Sequence, residues 1–386
     1  MKKRLLCQRF WEWAVLAVIV ALMVARIIRA AEEQGYGIDE IVNVQAAYSF
    51  LTQGNYTSMV EGAAFPMTGI FPPGISSGIV VTWPAGIIFA LHGNLFLARL
   101  LTGLVVLVQI LLLSGLFLRR QGWCWRHGLL GGAFLSGILF QWVPVGMWFV
   151  LSLGELQGVL LVAWALLVLP RNLWAASFLM GAAVWGCKFM YMPAMMMLTV
   201  AVLASMEGRM AARFKRGAMM VIVFLLPVVL WLLIIAARFG GAEALAWPGR
   251  WVWFVKHGFS GFDGVQAIPM MGRFTAGALE WSRDALPVKL AELGFFLAPF
   301  IFTGSAMLAG RMARVSRVFW IYTLCAWGCI LFLFAWFFGK SPTMWPQHAQ
   351  PGMYLGVLFI VVFGASWLAD LELQIRSLSR YVINAA

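Results

Sequence analysis

The chain has 386 residues, of which 62% are hydrophobic and 11% are charged, and its formal net charge is +13. A soluble domain of this length could not bury that much apolar surface, so the composition excludes an ordinary soluble enzyme. Several segments of 18 or more residues carry almost no charge, which is the length that a helix needs to cross a bilayer. We therefore predict an all-α polytopic membrane protein, whose basic residues reflect its topology in the lipid bilayer and not a nucleic-acid partner.

Clusters of basic residues punctuate the sequence and predict its topology, because such clusters usually lie on the cytoplasmic side. Placing them inside gives a single transmembrane domain, 1–386, with both termini cytoplasmic and long external loops at 31–95 and 238–291. The map contains ten crossings, at roughly 10–30, 96–118, 128–145, 151–169, 173–187, 189–206, 218–237, 292–309, 318–338 and 352–370.

The first external loop begins with two adjacent acids. The segment 38–53, which contains them, has apolar residues at helical spacing and predicts an amphipathic helix that lies in the membrane interface. Asp39 and Glu40 fall in its first turn, where the helix dipole favours negative charge, so simple capping is one interpretation of both acids. The apolar face is predicted to consist of Ile38, Ile41, Val42, Ala46, Phe50 and Leu51, with Asn43 among the polar residues between them.

The apolar stretch 74–93 contains Pro84 and several glycines. Because a crossing here would move the next basic cluster outside, we predict that this stretch only dips into the membrane edge. A conventional extra crossing is the alternative. Arg99 follows near the outer end of the next crossing, where it could either snorkel to water or bind an anion.

Two more charged residues lie at outer ends of predicted crossings. Glu155 opens an apolar segment, where an ionisable group is costly unless it is solvated or paired, and a helix-start acid is the simpler interpretation. Lys188 lies between two crossings with no other charge nearby, and an ordinary snorkelling lysine is its alternative. On this map the acids and these cations share one face, where they could bind a phosphate and abstract a proton.

The later external loops add further candidates. Arg250, Lys256 and His257 stand among the six aromatic residues of 247–264, which indicate either an interface belt or a surface that stacks a sugar or a lipid headgroup. Gln347 and His348 precede the last crossing, where the histidine could donate to a phosphate or have a structural role.

Several common signatures of enzymes are missing from the sequence. It contains no P-loop, no HExxH and no Cys/His metal cluster. Charges are scarce in the deep membrane segments, which disfavours an ion-coupled transporter. The cysteines form no CxxC pair, so we expect them to pack as small apolar side chains: Cys7, Cys124, Cys187, Cys325 and Cys329.

The order of these features resembles the GT-C superfamily of polyprenyl-phosphate-sugar-dependent glycosyltransferases, which includes the protein O-mannosyltransferases and the aminoarabinose transferase of lipid A. The resemblance covers 1–210 as a GT-C-like module and leaves 211–386 as variable C-terminal helices. It rests on the stretches IDEIVNVQAAYSFLTQGNY, FPPGISSGIVVTWPAGIIFALHGNLFLARLL, LSLGELQGVLLVAWALLVL and GAAVWGCKFMYMPAMM.

The resemblance implies a reaction and a site. Asp39 would be the general base, Glu40 would orient the site or bind the acceptor, and Glu155 would hold acceptor or sugar hydroxyls. A glycan, lipid or protein acceptor would displace the polyprenyl phosphate with inversion, at the periplasmic face of a bacterial inner membrane. The phosphate would be stabilised, in falling order of preference, by Lys188, Arg99, Arg250 and His348, with Gln347 and Lys256 as further substrate-binding residues.

The need for a metal ion and the function itself each have alternatives. In the oligosaccharyltransferase branch a divalent metal bridges acids of both external loops, whereas here the second loop has only Glu155, so we expect no required metal and keep one as an alternative. An O-antigen polymerase or ligase that uses a lipid-pyrophosphate oligosaccharide is a rival function, supported by Arg250, His257 and Arg273. A lipid-linked sugar transporter is the second rival.

Overall fold

The computed structural model of the protein describes residues 2–33, 38–52, 78–120, 124–141, 150, 154–169, 171–188, 191–205 and 210–256. The part described is helical and contains no strand, so the all-α prediction is confirmed there. The helices are α1 (Lys2–Glu33), α2 (Ile38–Thr52), α3 (Ile79–His92), α4 (Leu95–Arg120), α5 (Trp125–Gln141), α6 (Glu155–Val168), α7 (Leu173–Gly181), a π-helix (Ala182–Cys187), α8 (Met192–Ser205), α9 (Met210–Phe239) and α10 (Gly241–Lys256). The predicted crossings after residue 256 lie outside the described residues.

Three of the described helices are long and apolar enough to cross a membrane. They are Phe10–Glu33 of α1, Leu95–Arg119 of α4 and Met210–Phe239, which is α9. These spans coincide with the predicted crossings at 10–30, 96–118 and 218–237. Large apolar side chains stand exposed along α1 and α9, a surface that a bilayer would cover. The total of ten crossings stays a prediction.

Two of the shorter helices, α3 and α6, are shorter than a bilayer core is thick. Both α3 and α6 have 14 residues, which corresponds to a length of roughly 21 Å. That is less than the ~30 Å of a bilayer core. Length therefore does not separate 74–93, predicted to dip, from 151–169, predicted to cross, and both assignments stay predictions.

The core of the bundle is built around α6. From Leu156 to Val168 this helix has no charged residue, and a helix that is apolar on every side is expected to lie in the interior. Its Val159, Leu160 and Ala163 are completely buried. The neighbouring α1, α4, α7, α8 and α9 contribute to the same core.

Small residues let neighbouring helices approach closely. A methyl group on Gly128 of α5 would lie 2.5 Å from the Cα of Gly115 in α4, and one on Gly132 would lie 2.9 Å from the Cβ of Ser114. Such contacts hold membrane helices together, because the surrounding lipid gives no hydrophobic driving force for their association.

The close contact at Gly158 is expected to matter for stability. A Cβ at Gly158 of α6 would collide with Cε2 of Tyr191, whose ring is buried. We expect Gly158→Ala to destabilise the protein by about 1–3 kcal/mol, because the ring has no room to move. The matched control is Gly137→Ala in α5, where the new methyl group meets nothing within 4 Å. Thermal midpoints of the two purified variants measure the difference, and equal midpoints would contradict this packing.

Candidate active site

A buried ion pair joins α2 to the bundle. Arg99 of α4 donates through Nε to both carboxylate oxygens of Glu40, at 3.1 Å each, and through Nη2 to Oε2 at 2.6 Å. The Arg99 side chain is 4% exposed and that of Glu40 is 1% exposed. Nη1 of Arg99 also lies 3.5 Å from the carbonyl oxygen of Ala31 in α1. One guanidinium group therefore ties together α1, α2 and α4.

This ion pair bears on the predictions for both of its members. The snorkelling interpretation of Arg99 is wrong, because its guanidinium lies inside the protein against a carboxylate. Both oxygens of Glu40 accept from Arg99, which favours the orienting role of Glu40 over acceptor binding. Asp39 precedes Glu40 in the first turn of α2, and its role as a base stays a prediction.

The face of α2 that packs against the protein differs from the predicted one. Asn43 is 5% exposed, although the sequence pattern placed it among the polar residues between the apolar positions. The reason is that Glu40 is drawn to Arg99 and that Ala47 packs against Gly86 of α3, where an added Cβ would collide with the Ala47 Cβ. Among the side chains of α2 that the structure describes, those of Glu40, Asn43, Val44, Ala47 and Phe50 are buried.

A second group of site residues meets where α3 and α6 begin. The N–H of Gly78, just before α3, donates to the carbonyl of Cys187 at 2.8 Å. Gly154, just before Glu155, has a φ of +95°, which favours glycine. A Cβ at Gly154 would lie 3.2 Å from Cγ of Lys188. The lysine therefore lies beside the starts of both helices.

The electrostatics of this place favour an anion. The first N–H groups of a helix lack partners within the helix and carry partial positive charge. Neither α3 nor α6 has a side-chain hydrogen bond at its N-cap. Lys188, which is partly exposed, adds a full positive charge next to both. Two helix starts and a lysine form an arrangement suited to a phosphate.

A cluster of aromatic residues connects the two groups to α9 and α10. In this aromatic cluster the ring centroid of Phe50 in α2 lies 5.3 Å from that of Trp83 and 5.8 Å from that of Trp231. The ring of Trp185 in the π-helix lies 5.8 Å from that of Trp251 in α10. The cluster is formed by Phe50, Trp83, Trp185, Trp231, Phe239, Trp247 and Trp251.

The aromatic cluster also bears on the predictions for the segment 238–291. Trp247 is only 4% exposed, so the interface-belt interpretation is wrong for this tryptophan. Trp251 follows Arg250, and its contact with Trp185 brings that part of α10 toward the segment that ends at Lys188. Lys256 is the last residue of α10. Gln347 and His348, like His257 and Arg273, lie outside the described residues.

The described ranges contain no group of three His, Cys, Asp or Glu side chains that could hold a metal ion. Glu155 is the first residue of α6, and Glu40 is occupied by Arg99. The independence of the reaction from metal stays a prediction.

Comparison with known proteins gives a fold. No family model matches the sequence, and no curated protein matches it. Two solved structures of ArnT from Cupriavidus metallidurans are similar to this chain: the apo state, with a TM-score of 0.54 and 16% identity, and the state bound to undecaprenyl phosphate, with a TM-score of 0.57 and 15% identity. They cover 92% and 93% of this chain, which spans about 60% of their length. The chain thus has a polytopic all-α fold similar to that of these ArnT structures, in agreement with the predicted fold class.

Proposed function

We propose that the protein transfers a sugar from a polyprenyl-phosphate carrier to an acceptor at the external face of a bacterial inner membrane. The observation that carries this proposal is the position of Lys188 beside the uncapped starts of α3 and α6. A phosphate is the anion that this arrangement suits. One of the ArnT structures with the same fold is bound to undecaprenyl phosphate, and we extend that ligand class to this chain.

In this proposal, the charge that develops on the leaving group determines the layout of the site. The acceptor oxygen forms a bond to the anomeric carbon while the bond from that carbon to the phosphate oxygen breaks, with inversion. Lys188 and the N–H groups at the helix starts stabilise the departing phosphate. Asp39 takes the proton of the acceptor hydroxyl. Because the chemistry is a single displacement, no covalent sugar–protein intermediate forms.

The remaining site residues have supporting roles. Arg99 and Glu40 are positioning residues, because their ion pair fixes the first turn of α2, which carries Asp39, against α1 and α4. Glu155, next to the glycine that contacts Lys188, is proposed to hold hydroxyls of the sugar or the acceptor. Arg250, Lys256, Gln347 and His348 are proposed as further contacts to the donor.

The experiment that tests the function is a donor panel. Purified full-length protein is given polyprenyl monophosphates that carry different sugars, together with a lipid-linked pyrophosphate oligosaccharide and an envelope extract as the acceptor. Sugar release from a monophosphate donor is the expected result, and the reactive donor identifies the sugar. Transfer only from the pyrophosphate donor would assign a polymerase or ligase. Movement of an intact donor across a vesicle membrane, without release of sugar, would assign a transporter.

The positive charge of Lys188 is expected to contribute directly to kcat/KM for the donor. We expect Lys188→Met to lower kcat/KM for the polyprenyl-phosphate donor by about 10²-fold, since loss of one preorganised donor to a developing anion costs about 10²–10³-fold. Methionine keeps the apolar stem of the side chain and removes only the ammonium group. The matched control is Lys215→Met, which changes an exposed lysine of α9 and should leave turnover unchanged. Equal kcat/KM in the Lys188→Met variant and the wild type would remove Lys188 from the site.

A further inference from the structure

A thiol, an imidazole and a carboxylate lie together far from the candidate active site. Glu12 in α1 contacts α5, whereas Ala31 of the same helix contacts Arg99. Glu12 and Ala31 are 19 positions apart, which corresponds to roughly 28 Å of helix. The group is therefore at the opposite end of α1 from Arg99.

The geometry of this group follows the order nucleophile, base and carboxylate. Sγ of Cys124 lies 3.3 Å from Nδ1 of His127. The other ring nitrogen, Nε2, lies 3.7 Å from Oε1 of Glu12. The thiol and the carboxylate contact opposite nitrogens of one ring, so they do not surround a common point as metal ligands would. The arrangement is suited to moving a proton from the thiol to the imidazole.

The surroundings of Cys124 include a helix N-terminus and an arginine. The carbonyl of Cys124 accepts the N–H of His127 at 3.1 Å, so α5 begins here and the thiol lies at a helix N-terminus. Nη1 of Arg126 lies 2.7 Å from Oε2 of Glu12, although the two are poorly aligned for a hydrogen bond. A helix N-terminus and neighbouring cations are the features that make a cysteine reactive.

The Cys124 thiol is exposed to solvent, unlike the thiol of a cysteine that packs in the protein interior. Cys124 is free and exposed, whereas Cys187 is free and buried. The expectation that the cysteines pack as small apolar side chains thus agrees with the burial of Cys187 and is wrong for Cys124. His127 is 42% exposed, so a small reagent can reach the pair from solvent.

We propose that Cys124 is a reactive thiol that forms a reversible mixed disulfide with low-molecular-weight disulfides. His127 takes the thiol proton, and the Cys124 thiolate attacks one sulfur of the reagent. A new S–S bond forms as the S–S bond of the reagent breaks, and the departing thiolate receives the proton from His127. One disulfide is consumed and one is formed, so no other oxidant is needed. The Glu12 carboxylate orients the imidazole and compensates its positive charge while His127 carries the thiol proton.

The test uses the purified full-length protein in detergent, with oxidised glutathione as the probe near neutral pH. Peptide mass analysis follows the modification of Cys124 and Cys187 over time. We expect modification at Cys124, none at Cys187, and reversal by a reducing agent. His127→Phe should slow the reaction at Cys124 by about tenfold, because the thiol loses its base, and Glu12→Gln by a few-fold.

The control is His92→Phe, which changes an exposed histidine at the end of α3 and should leave the rate at Cys124 unchanged. Equal rates in the wild type and in His127→Phe would overturn the proposal, since exposure alone would then explain the reaction. If His127→Phe does not give a monodisperse protein, Glu12→Gln decides: a slower reaction supports the proposal and an unchanged rate overturns it.

Discussion

Replacing Asp39 with asparagine is expected to lower sugar transfer about 10³-fold, within the 10²–10⁴-fold range that a general base contributes. Asparagine has nearly the shape of aspartate but cannot take the proton from the acceptor hydroxyl. The neighbouring ion pair between Glu40 and Arg99 holds the first turn of α2 in both proteins, so the fold should not change. The loss is therefore expected in kcat, with little change in the KM for the donor.

The measurement compares initial rates of sugar release from the reactive polyprenyl-phosphate donor in wild type and Asp39→Asn, after both pass size-exclusion chromatography. The matched control is Glu32→Gln, which neutralises an exposed acid one residue from Ala31 in α1. Its rate should equal that of the wild type. An Asp39→Asn variant with the wild-type rate would leave Asp39 as a helix-capping acid and assign the proton to another group.

The helices that could be predicted are those that a local sequence pattern defines. Long apolar segments predicted α1, α4 and α9, and an acidic first turn followed by a helical period predicted α2. The face of α2 that packs could not be predicted in the same way. In a membrane protein the lipid is as apolar as the interior, so hydrophobicity does not separate residues that face protein from residues that face lipid.

The contacts that define the site depend on tertiary structure. Glu40 and Arg99 are 59 positions apart, and no local pattern links them. The sequence did indicate each as a candidate, Glu40 as one of two adjacent acids and Arg99 as a cation near the outer end of a predicted crossing. Likewise, Lys188 was identified by its isolation between two apolar segments, but only the fold brings it to Gly154 and to the start of α3.

The largest stability effect is expected at the buried ion pair. Arg99→Met would leave the Glu40 carboxylate buried without its guanidinium, and removing one partner of a buried ion pair costs about 3–5 kcal/mol. Glu40→Gln would leave the Arg99 charge buried and should also be destabilising. The double variant carries neither charge, so its thermal midpoint should lie above those of both single variants. The exposed ion pair of Arg29 and Glu33 is the control, and Arg29→Met should not change the midpoint measurably.

Activity in the same double variant separates a positioning role from a purely structural one. If the ion pair positions Asp39, the double variant should be stable yet keep a kcat at least about tenfold below the wild type, because a small displacement of a catalytic group is costly. Its KM for the donor should change less, since Lys188 and the starts of α3 and α6 are untouched. A double variant that regains both stability and kcat would show that α2 needs only a neutral, well-packed contact with α4, and that the charges of Glu40 and Arg99 serve the fold alone.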